Sequence, residues 1–522
     1  MAQLSIAKKI IRNTQFNTVG RVWEVLIRIF LTPYIITKIG GERYGIWAIV
    51  TVVAGYFSII DLGVGDSFLK YFTEYITKGN YKKTNQVANT GFIFYFTIGV
   101  VILIIALPLM HYLLGFFKIE STMYSEALFA LKLGFLIFVF SSIFGVFSYI
   151  PLGLQRMEIS NGVSIGLSIP YIIGTILFLE MGFGLRGLMI NNAINAVMIV
   201  IANLAASFKL YQKLSFNPIK YFSKQIMIKL IKFGYKMKAI HIARLVNRNL
   251  DKLLIGHFMA MGFVTYYHLG STIVDKAQIL PYVLISALLP AFGEIYFKGG
   301  KDKLIEGYRR GTKYLSFLVM PFFVFLIISA RSILLLWMGP GYEKSVFVLR
   351  LLAFGWMVYN LSWITRPVLK TLEKHLCQMV ADIIIVVLNI SLSIVFILLF
   401  GFYGVVIGTV ISLIIGGIII VILFHRIMAI SLAEFWKATF KNIISSFFSG
   451  LILYGVDSLI QLLILTQSRF AALSVLLIEG TVFSLTYILI LRIFKPFDKV
   501  DKSIVGSNLM FARPLISFLA KT

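Results

Sequence analysis

Residues 21–28 read Arg-Val-Trp-Glu-Val-Leu-Ile-Arg, and residues 241–248 read His-Ile-Ala-Arg-Leu-Val-Asn-Arg. Each stretch places three ionisable side chains at spacings of three and four within an apolar segment, which puts them on one face of a helix. The two stretches lie about 220 residues apart, and the sequences GLRG at 184–187 and GFYG at 401–404, each opening an apolar segment, are 217 apart. Two similar hydrophobic halves with a polar stripe on the first helix predict a transporter built on an internal repeat.

The composition is typical of an integral membrane protein. Hydrophobic residues make up 59% of the 522 residues and charged residues 14%, well below the roughly 25% of soluble domains. The single cysteine, Cys377, excludes an internal disulfide, and the six histidines show no metal-ligand spacing, so no metal or other cofactor is expected. The first twenty residues are polar and basic, which predicts a retained N-terminus rather than a cleaved signal.

Apolar runs long enough for a ~30 Å hydrocarbon core predict an all-α polytopic membrane protein with about fourteen transmembrane helices. The predicted spans are 17–39, 43–62, 86–111, 127–150, 160–181, 184–210, 232–257, 264–291, 312–337, 346–369, 376–400, 402–424, 439–464 and 470–493. The repeat groups them into an N-lobe (1–213), a C-lobe (214–436), an added pair (437–493) and an amphipathic cytoplasmic tail (494–522).

The positive charges predict the orientation. Most of the 49 Lys and Arg residues lie in the N-terminal stretch, the even-numbered loops and the C-terminal tail. By the positive-inside rule, both termini are expected on the cytoplasmic side of the inner membrane. The net charge of +27 therefore indicates topology and attraction to anionic lipid, and nucleic-acid binding is not expected.

The second and eighth spans are both predicted to be interrupted. The sequence DLGVGD at 61–66 interrupts the second, and Pro281 and Pro290 interrupt the eighth. Gly loosens a helix and Pro removes a backbone hydrogen bond. Matching interruptions in two halves predict a central cavity with moving parts, so Gly63, Gly65 and Pro281 are candidate hinges.

Several short motifs carry a family resemblance when taken in order. They are GIW at 45–47, DLGVG at 61–65 with KY at 70–71, GLQR at 153–156, DKLLIG at 251–256 with YY at 266–267, and the two GxxG openings. Across essentially the whole chain, this pattern resembles the polysaccharide transporter family (Wzx-type flippases) of the multidrug/oligosaccharidyl-lipid/polysaccharide (MOP) exporter superfamily. The resemblance implies two MATE-like six-helix lobes related by pseudo-twofold symmetry, a V-shaped cavity, two added C-terminal helices and export of lipid-linked sugars.

The two polar stripes supply the candidate substrate-binding residues. Arg stays charged at any relevant pH, and its planar fork suits bidentate contact with a diphosphate. The candidates are Arg21, Glu24, Arg28, His241, Arg244 and Arg248. A structural alternative is that Arg28 pairs with Glu24 or Asp61 and that Arg21 extends to the interface.

A smaller acidic set consists of Asp61, Asp66, Asp251 and Asp275. Such carboxylates could exchange H⁺ or Na⁺ for substrate, because desolvation favours uptake of a cation. The alternative is structural pairing, of Asp275 with an arginine on the seventh span or of Asp61 with Lys70.

Three function classes compete. They are a flippase for polyprenyl-diphosphate-linked oligosaccharides, an ion-coupled drug antiporter of the same fold, and a membrane enzyme of polysaccharide assembly. Basic stripes disfavour a pocket for organic cations, and no Walker motif, DxD donor site or large outward loop is visible. The expected partners are the lipid-linked glycan (an O-antigen, capsule or exopolysaccharide unit), membrane lipids, and polymerase or assembly proteins.

Overall fold

The computed structural model describes residues 2–58, 63–463, 468–498, 500–501 and 519, and these form helices joined by short turns. The first helices are α1 (Ala2–Ile39), α2 (Gly41–Tyr56), α3 (Val64–Thr77), α4 (Tyr81–Phe116), α5 (Ser121–Gly145), α6 (Tyr149–Gly153), α7 (Met157–Glu180), α8 (Gly184–Leu210), α9 (Pro218–Tyr221) and α10 (Lys224–Phe258). They are followed by α11 (Met261–Ala277), α12 (Ile279–Ile328), α13 (Ala330–Met338), α14 (Glu343–Asn360), α15 (Thr365–Thr371), α16 (His375–Phe400), α17 (Phe402–Met428), α18 (Leu432–Leu463) and α19 (Arg469–Phe494). The predicted all-α fold is confirmed.

The helices form two compact units, Met1–Thr265 and Tyr266–Thr522. In the first unit, α10 packs against α2, α3 and α4, and α7 packs against α1 and α8. In the second unit, α17 packs against α14 and α16, and α18 packs against α12 and α19. The internal repeat predicts a boundary between the lobes at residue 213. That boundary describes the repeat, not these two compact units, and it stays a prediction.

Ten helical segments in the described chain are long and apolar enough to cross a membrane. They are Tyr81–Phe116, Ser121–Gly153, Met157–Glu180, Gly184–Leu210, Ala291–Ile328, Glu343–Thr371, Leu376–Phe400, Phe402–Met428, Leu432–Gln461 and Arg469–Phe494. They correspond to predicted spans three to six and nine to fourteen. The ninth is shifted towards the N-terminus, since its helix ends at Ile328 and α13 follows as a separate short helix.

The other four predicted spans are the repeat-equivalent pairs one with seven and two with eight. Helices α1 and α10 carry ionisable residues along their length, which lowers their mean hydropathy. Helices α2 and α11 are short, with 16 and 17 residues, because each ends at an interruption. In both halves of the chain, the first two predicted spans therefore differ from a simple apolar membrane helix.

The first glycine of each GxxG sequence has a left-handed φ. Gly184 has φ +53° and Gly401 has φ +60°, a backbone conformation that favours glycine. The second glycine of each motif allows close packing, since a Cβ on Gly404 would lie 1.9 Å from the Phe396 carbonyl oxygen and Gly187 is similarly enclosed. Each motif starts a 27-residue helix or immediately precedes one. The repeat predicted from sequence thus has a matching local structure.

The start of the predicted tail, just after α19, is held by ionic contacts. Asp501 is fully buried, accepts a hydrogen bond from Arg310 Nη1 at 2.8 Å and pairs with Lys313. Partial burial raises the pKa of the neighbouring Asp498 carboxyl, but the Asp501 backbone N–H and the two cations outweigh this effect and lower that pKa overall. Apart from residues 494–498, 500–501 and 519, the tail lies outside the described residues.

Candidate functional site

Helix α1 has one face for packing and another for charge. On the packing face, Trp23 Nε1 donates a hydrogen bond to Ser168 Oγ of α7 at 2.7 Å. A Cβ on Gly20 would lie 2.3 Å from the Asn161 side chain of α7, so this face of α1 contacts α7 closely. The charged residues occupy the exposed side of the same helix.

Arg28 and Glu24 form an exposed ion pair on that side. Arg28 Nη2 lies 2.9 Å from Glu24 Oε1, and the two side chains are 58% and 55% exposed. This pairing is one of the alternatives foreseen from the sequence. An exposed i,i+4 pair of this kind is worth only about 0.3–0.5 kcal/mol, so a stronger anionic ligand could displace Glu24.

Arg28 interacts electrostatically with tyrosines of two neighbouring helices. Its charge acts on the phenol groups of Tyr44 on α2 and Tyr171 on α7. Arg21, two stripe positions before Arg28, is exposed. Tyr44 is buried and Tyr171 is half-buried, so the exposed donors of the stripe are its arginines, whose guanidinium groups suit a phosphate.

The far end of α1 is fixed by a contact that sequence reasoning missed. Glu180 at the end of α7 accepts hydrogen bonds from the Tyr34 hydroxyl and from Lys38 Nζ, both at 2.7 Å. These residues lie more than 140 positions apart, and no spacing in the sequence signals the contact.

The interruption of the second span is confirmed. Helix α2 ends at Tyr56, and α3 begins after Gly63, whose φ of +73° is left-handed. A Cβ on Gly63 would lie 2.4 Å from the carbonyl oxygen of Gly234 on α10. The buried Ser67 hydroxyl donates to Leu230 O of α10 at 2.7 Å. The interrupted span therefore packs directly against backbone carbonyl groups of α10.

The N-terminal end of α2 is held by the start of α11. A Cβ on Gly45 would lie 2.1 Å from Met261 O, which explains the glycine of the GIW motif. Thr265 Oγ1 donates to Gly41 O at 2.5 Å. The N-terminal end of α2 thus contacts α11, and at its other end the Tyr56 hydroxyl donates to Val246 O of α10 at 3.4 Å.

The second stripe lies on α10. The backbone of His241, Arg244 and Arg248 is helical, and their spacing places these positions on one face. Their side chains lie outside the described set, so the predicted meeting of the two stripes stays a prediction. Asp251 follows on α10 and is 1% exposed, and its charge acts on the Tyr56 hydroxyl at the end of α2.

The remaining predicted residues are dispersed. Asp61 lies outside the described residues. Asp66 is exposed in the first turn of α3, where a carboxylate interacts favourably with the helix dipole. In the second unit, Asp275 is half-buried on α11, and Pro281 is buried as the third residue of α12. Gly65 is buried in the first turn of α3.

Of the two interruptions predicted for the eighth span, the one beside Pro281 is present and the one at Pro290 is absent. The interruption falls at Gln278, three residues before Pro281, and helical backbone continues through Pro290. Proline is tolerated in the first turn of a helix because the N–H groups there have no intrahelical acceptor. Pro281 lies in the first turn of α12, and because it has no N–H to donate to the carbonyl of Ala277, α11 ends there as predicted.

A further charged cluster in the second unit contains residues that the sequence analysis did not assign. Arg366 Nη2 lies 3.2 Å from Asp382 Oδ1, and its guanidinium is 5.2 Å from the Tyr359 ring centre and 5.5 Å from that of Trp363. The described residues contain no group of three or more His, Cys, Asp or Glu side chains arranged to hold a metal ion.

Comparison with known proteins places the chain in a family. Residues 39–347, more than half of the chain, match the family model described as "Polysaccharide biosynthesis protein". The "Putative O-antigen transporter" of Shigella flexneri is 21% identical over 370 residues, covering 70% of this chain and 85% of that protein.

Two solved structures share the fold. The lipid II flippase MurJ in an inward closed conformation matches with a TM-score of 0.68 and 17% identity over 93% of this chain and 98% of that one. An inward-facing multidrug resistance MATE transporter of the MOP superfamily matches with a TM-score of 0.60 and 16% identity over 80% of this chain and 94% of that one. The chain thus has a MOP-superfamily fold and belongs to the polysaccharide biosynthesis protein family.

Proposed function

We propose that this protein is a flippase that moves a polyprenyl-diphosphate-linked oligosaccharide from the cytoplasmic to the outer leaflet of the inner membrane. The observation that carries the proposal is the exposed Arg28–Glu24 pair on α1. The family match and the name of the Shigella relative support a polysaccharide-related cargo. The glycan would be an O-antigen, capsule or exopolysaccharide unit.

Substrate binding is proposed to exchange one anion for another at Arg28. The diphosphate would displace Glu24 from the guanidinium fork, losing an ion pair of about 0.3–0.5 kcal/mol and gaining charge-assisted contacts of about 1.5–3 kcal/mol each. Arg21, His241, Arg244 and Arg248 would complete a cationic cavity. The prenyl tail would stay in lipid, so the cavity needs a lateral opening.

Transport is proposed to follow alternating access. A ligand can shift the equilibrium between two access states only if it binds one state more tightly than the other. The contacts between the diphosphate and the cationic side chains would supply that difference in affinity. The candidate pivots are Gly63 and Gly65 in one half and Pro281 in the other. Proton or Na⁺ exchange at Asp61, Asp66, Asp251 or Asp275 would give direction, and glycan polymerase or assembly proteins would act on the product.

The main test uses export in a deletion strain complemented with variants. Arg28→Ala should lower export roughly 10- to 100-fold at normal protein abundance, and Arg28→Lys should restore part of it because charge survives without the fork. Because Arg28→Ala leaves Glu24 unpaired, a Glu24→Gln/Arg28→Ala double variant isolates the loss of the guanidinium. Lys78→Ala removes a comparable exposed i,i+4 pair with Glu74 outside the site and should export normally.

The cargo is identified in the same strain. Mass spectrometry should find a lipid-linked repeat unit accumulated on the cytoplasmic leaflet when the gene is deleted. Full export by the double variant would remove the diphosphate site, and equal losses of abundance and export would indicate structural pairing. A strain that gains drug sensitivity without accumulating the lipid would instead support the antiporter alternative.

Topology has an independent test. Reporter fusions after Thr522 and within residues 211–223 should both report a cytoplasmic location, because the basic residues concentrate there. An external signal from either fusion would contradict the proposed orientation.

A further inference from the structure

The last two helices carry a buried acidic pair. Glu479, near the middle of α19, is fully buried, and Asp457 on α18 is 3% exposed. Their carboxyl groups lie within hydrogen-bonding reach of each other. Helix α19 packs against both α18 and α13, so this pair lies where three helices of the second unit meet.

Serine and glutamine side chains surround the two carboxyl groups. Ser332 Oγ of α13 donates to Glu479 Oε1 at 3.0 Å, and Gln461 Nε2 donates to Asp457 Oδ2 at 2.7 Å. Ser329, fully buried between α12 and α13, also places its hydroxyl near Glu479. Among the residues that the structure describes, Glu479 Oε2 and Ser329 Oγ make no hydrogen bond. An unsatisfied buried polar atom costs about 1–3 kcal/mol, so a further hydrogen bond at Glu479 Oε2 would be stabilising.

The arginines on the helices around this acidic pair donate hydrogen bonds to uncharged acceptors, not to the two carboxyl groups. Arg331 of α13 donates to Gln461 Oε1 at 2.7 Å. Arg350 of α14 donates to Ile327 O at 3.1 Å, and Arg469 at the start of α19 donates to Met338 O at 3.3 Å. Within the described chain, no ion pair involves Asp457 or Glu479. The two acids therefore lack a counter-charge among these residues.

Two adjacent carboxylates cannot both stay ionised where water is excluded, because desolvation and like-charge repulsion both oppose it. A carboxyl pair in this position needs one bound cation. Because the two carboxyl groups are in contact, the cation that fits best is the smallest one, a proton. A carboxyl oxygen that carries the proton can donate a hydrogen bond to an oxygen of the other group.

We propose that Asp457 and Glu479 form a proton-binding site in which the two carboxyl groups share a single proton. The proton bonds to one carboxyl oxygen and is donated to the other, so the pair carries one negative charge rather than two. Gln461 and the exposed Arg331 mark the path to water. Loss of the proton would place a second charge between α13, α18 and α19, and proton occupancy would thus control how these helices pack. None of the coupling carboxylates predicted from sequence belongs to this site.

Infrared difference spectroscopy on the full-length purified protein in lipid nanodiscs tests the site directly. At neutral pH the wild-type protein should show one carboxylic-acid C=O band, which Glu479→Gln and Asp457→Asn should each remove. Asp382→Asn is the matched control, because Asp382 is a partly buried acid that pairs with Arg366 rather than with another carboxyl group. That variant should leave the band unchanged.

The contrary outcomes are distinct. A wild-type spectrum without the band, or a band that survives both Glu479→Gln and Asp457→Asn, would overturn the proposal. Loss of the band on adding Na⁺ at constant pH would also overturn it, by assigning the site to Na⁺ instead. The glutamine variant keeps the shape of glutamate, and its thermal unfolding should stay close to wild type. Because the measurement reports protonation alone, it is independent of the proposed cargo.

Discussion

The second and eighth predicted spans are both interrupted, but the backbone conformation at the two interruptions differs. In the first unit, α2 ends at Tyr56 and α3 begins at Val64, and Gly63 just before α3 has a left-handed φ of +73°. In the second unit, the single residue Gln278 separates α11 from α12, and its φ of −62° and ψ of −13° remain in the helical region. The first interruption breaks the helix direction with a conformation that favours glycine, whereas the second only ends one helix and starts the next.

Their surroundings differ as well. Gly63 lies in backbone contact with Gly234, and Ser67 bonds to Leu230 O on the same helix. Pro281 is buried in the first turn of α12, where its missing N–H costs little. Repeat-equivalent interruptions therefore need not be equivalent in energy. The glycine interruption should tolerate substitution far less than the proline one.

The largest expected effect is at Gly63. Gly63→Ala must place a Cβ in the left-handed region, at about 1–2 kcal/mol, and also 2.4 Å from Gly234 O. We expect a loss of more than about 2 kcal/mol in unfolding free energy, measured by thermal unfolding of the purified protein, together with loss of export. Gly55→Ala is the matched control. Gly55 lies within α2 with open space around it, so alanine there should be neutral or stabilise by up to about 1 kcal/mol. Equal effects at the two glycines would contradict the comparison.

An intermediate effect is expected at Ser67. Ser67→Ala removes the buried hydrogen bond to Leu230 O and should cost about 1 kcal/mol in unfolding free energy. Thr73→Ala on the same helix removes a hydroxyl that bonds only to Leu69 O within α3, and should change stability by less than about 0.5 kcal/mol. If both variants unfold at the same temperature, the contact between α3 and α10 does not stabilise the interruption.

The smallest change in stability is expected at Pro281. Alanine fits the first turn of α12, so Pro281→Ala should lower the unfolding free energy by no more than about 1 kcal/mol, chiefly by freeing the unfolded chain. If Pro281 also acts as a pivot, export should slow while binding of the lipid-linked substrate in membranes stays nearly normal. Normal export would remove Pro281 from the hinge, and lost binding would make it part of the site.

Much of the fold could be predicted because it depends on local patterns. Ten of the fourteen spans appear as apolar helices, and the other four differ because of charges and breaks visible in the sequence. The break near Gly63 and the paired GxxG openings at Gly184 and Gly401 were also foreseeable, since glycine favours positive φ. Less of the site could be predicted. The Arg28–Glu24 pair followed from i,i+4 spacing and the interruption beside Pro281 from its missing N–H, but the continuous helix at Pro290 was not predicted.

The sequence by itself determined the helical membrane fold, the repeat and the positions of the ionisable stripes, because hydropathy and periodicity are properties of short stretches of chain. Only the tertiary structure decided which distant groups meet, as with Ser67 and Leu230, Tyr34 and Glu180, or Glu479 and Ser332, which lie 163, 146 and 147 positions apart. Which faces of two helices touch depends on side-chain shape and on satisfying buried polar groups across the whole bundle. The burial of Asp457 beside Glu479 is therefore a property of the packed helices α13, α18 and α19, not of either helix alone.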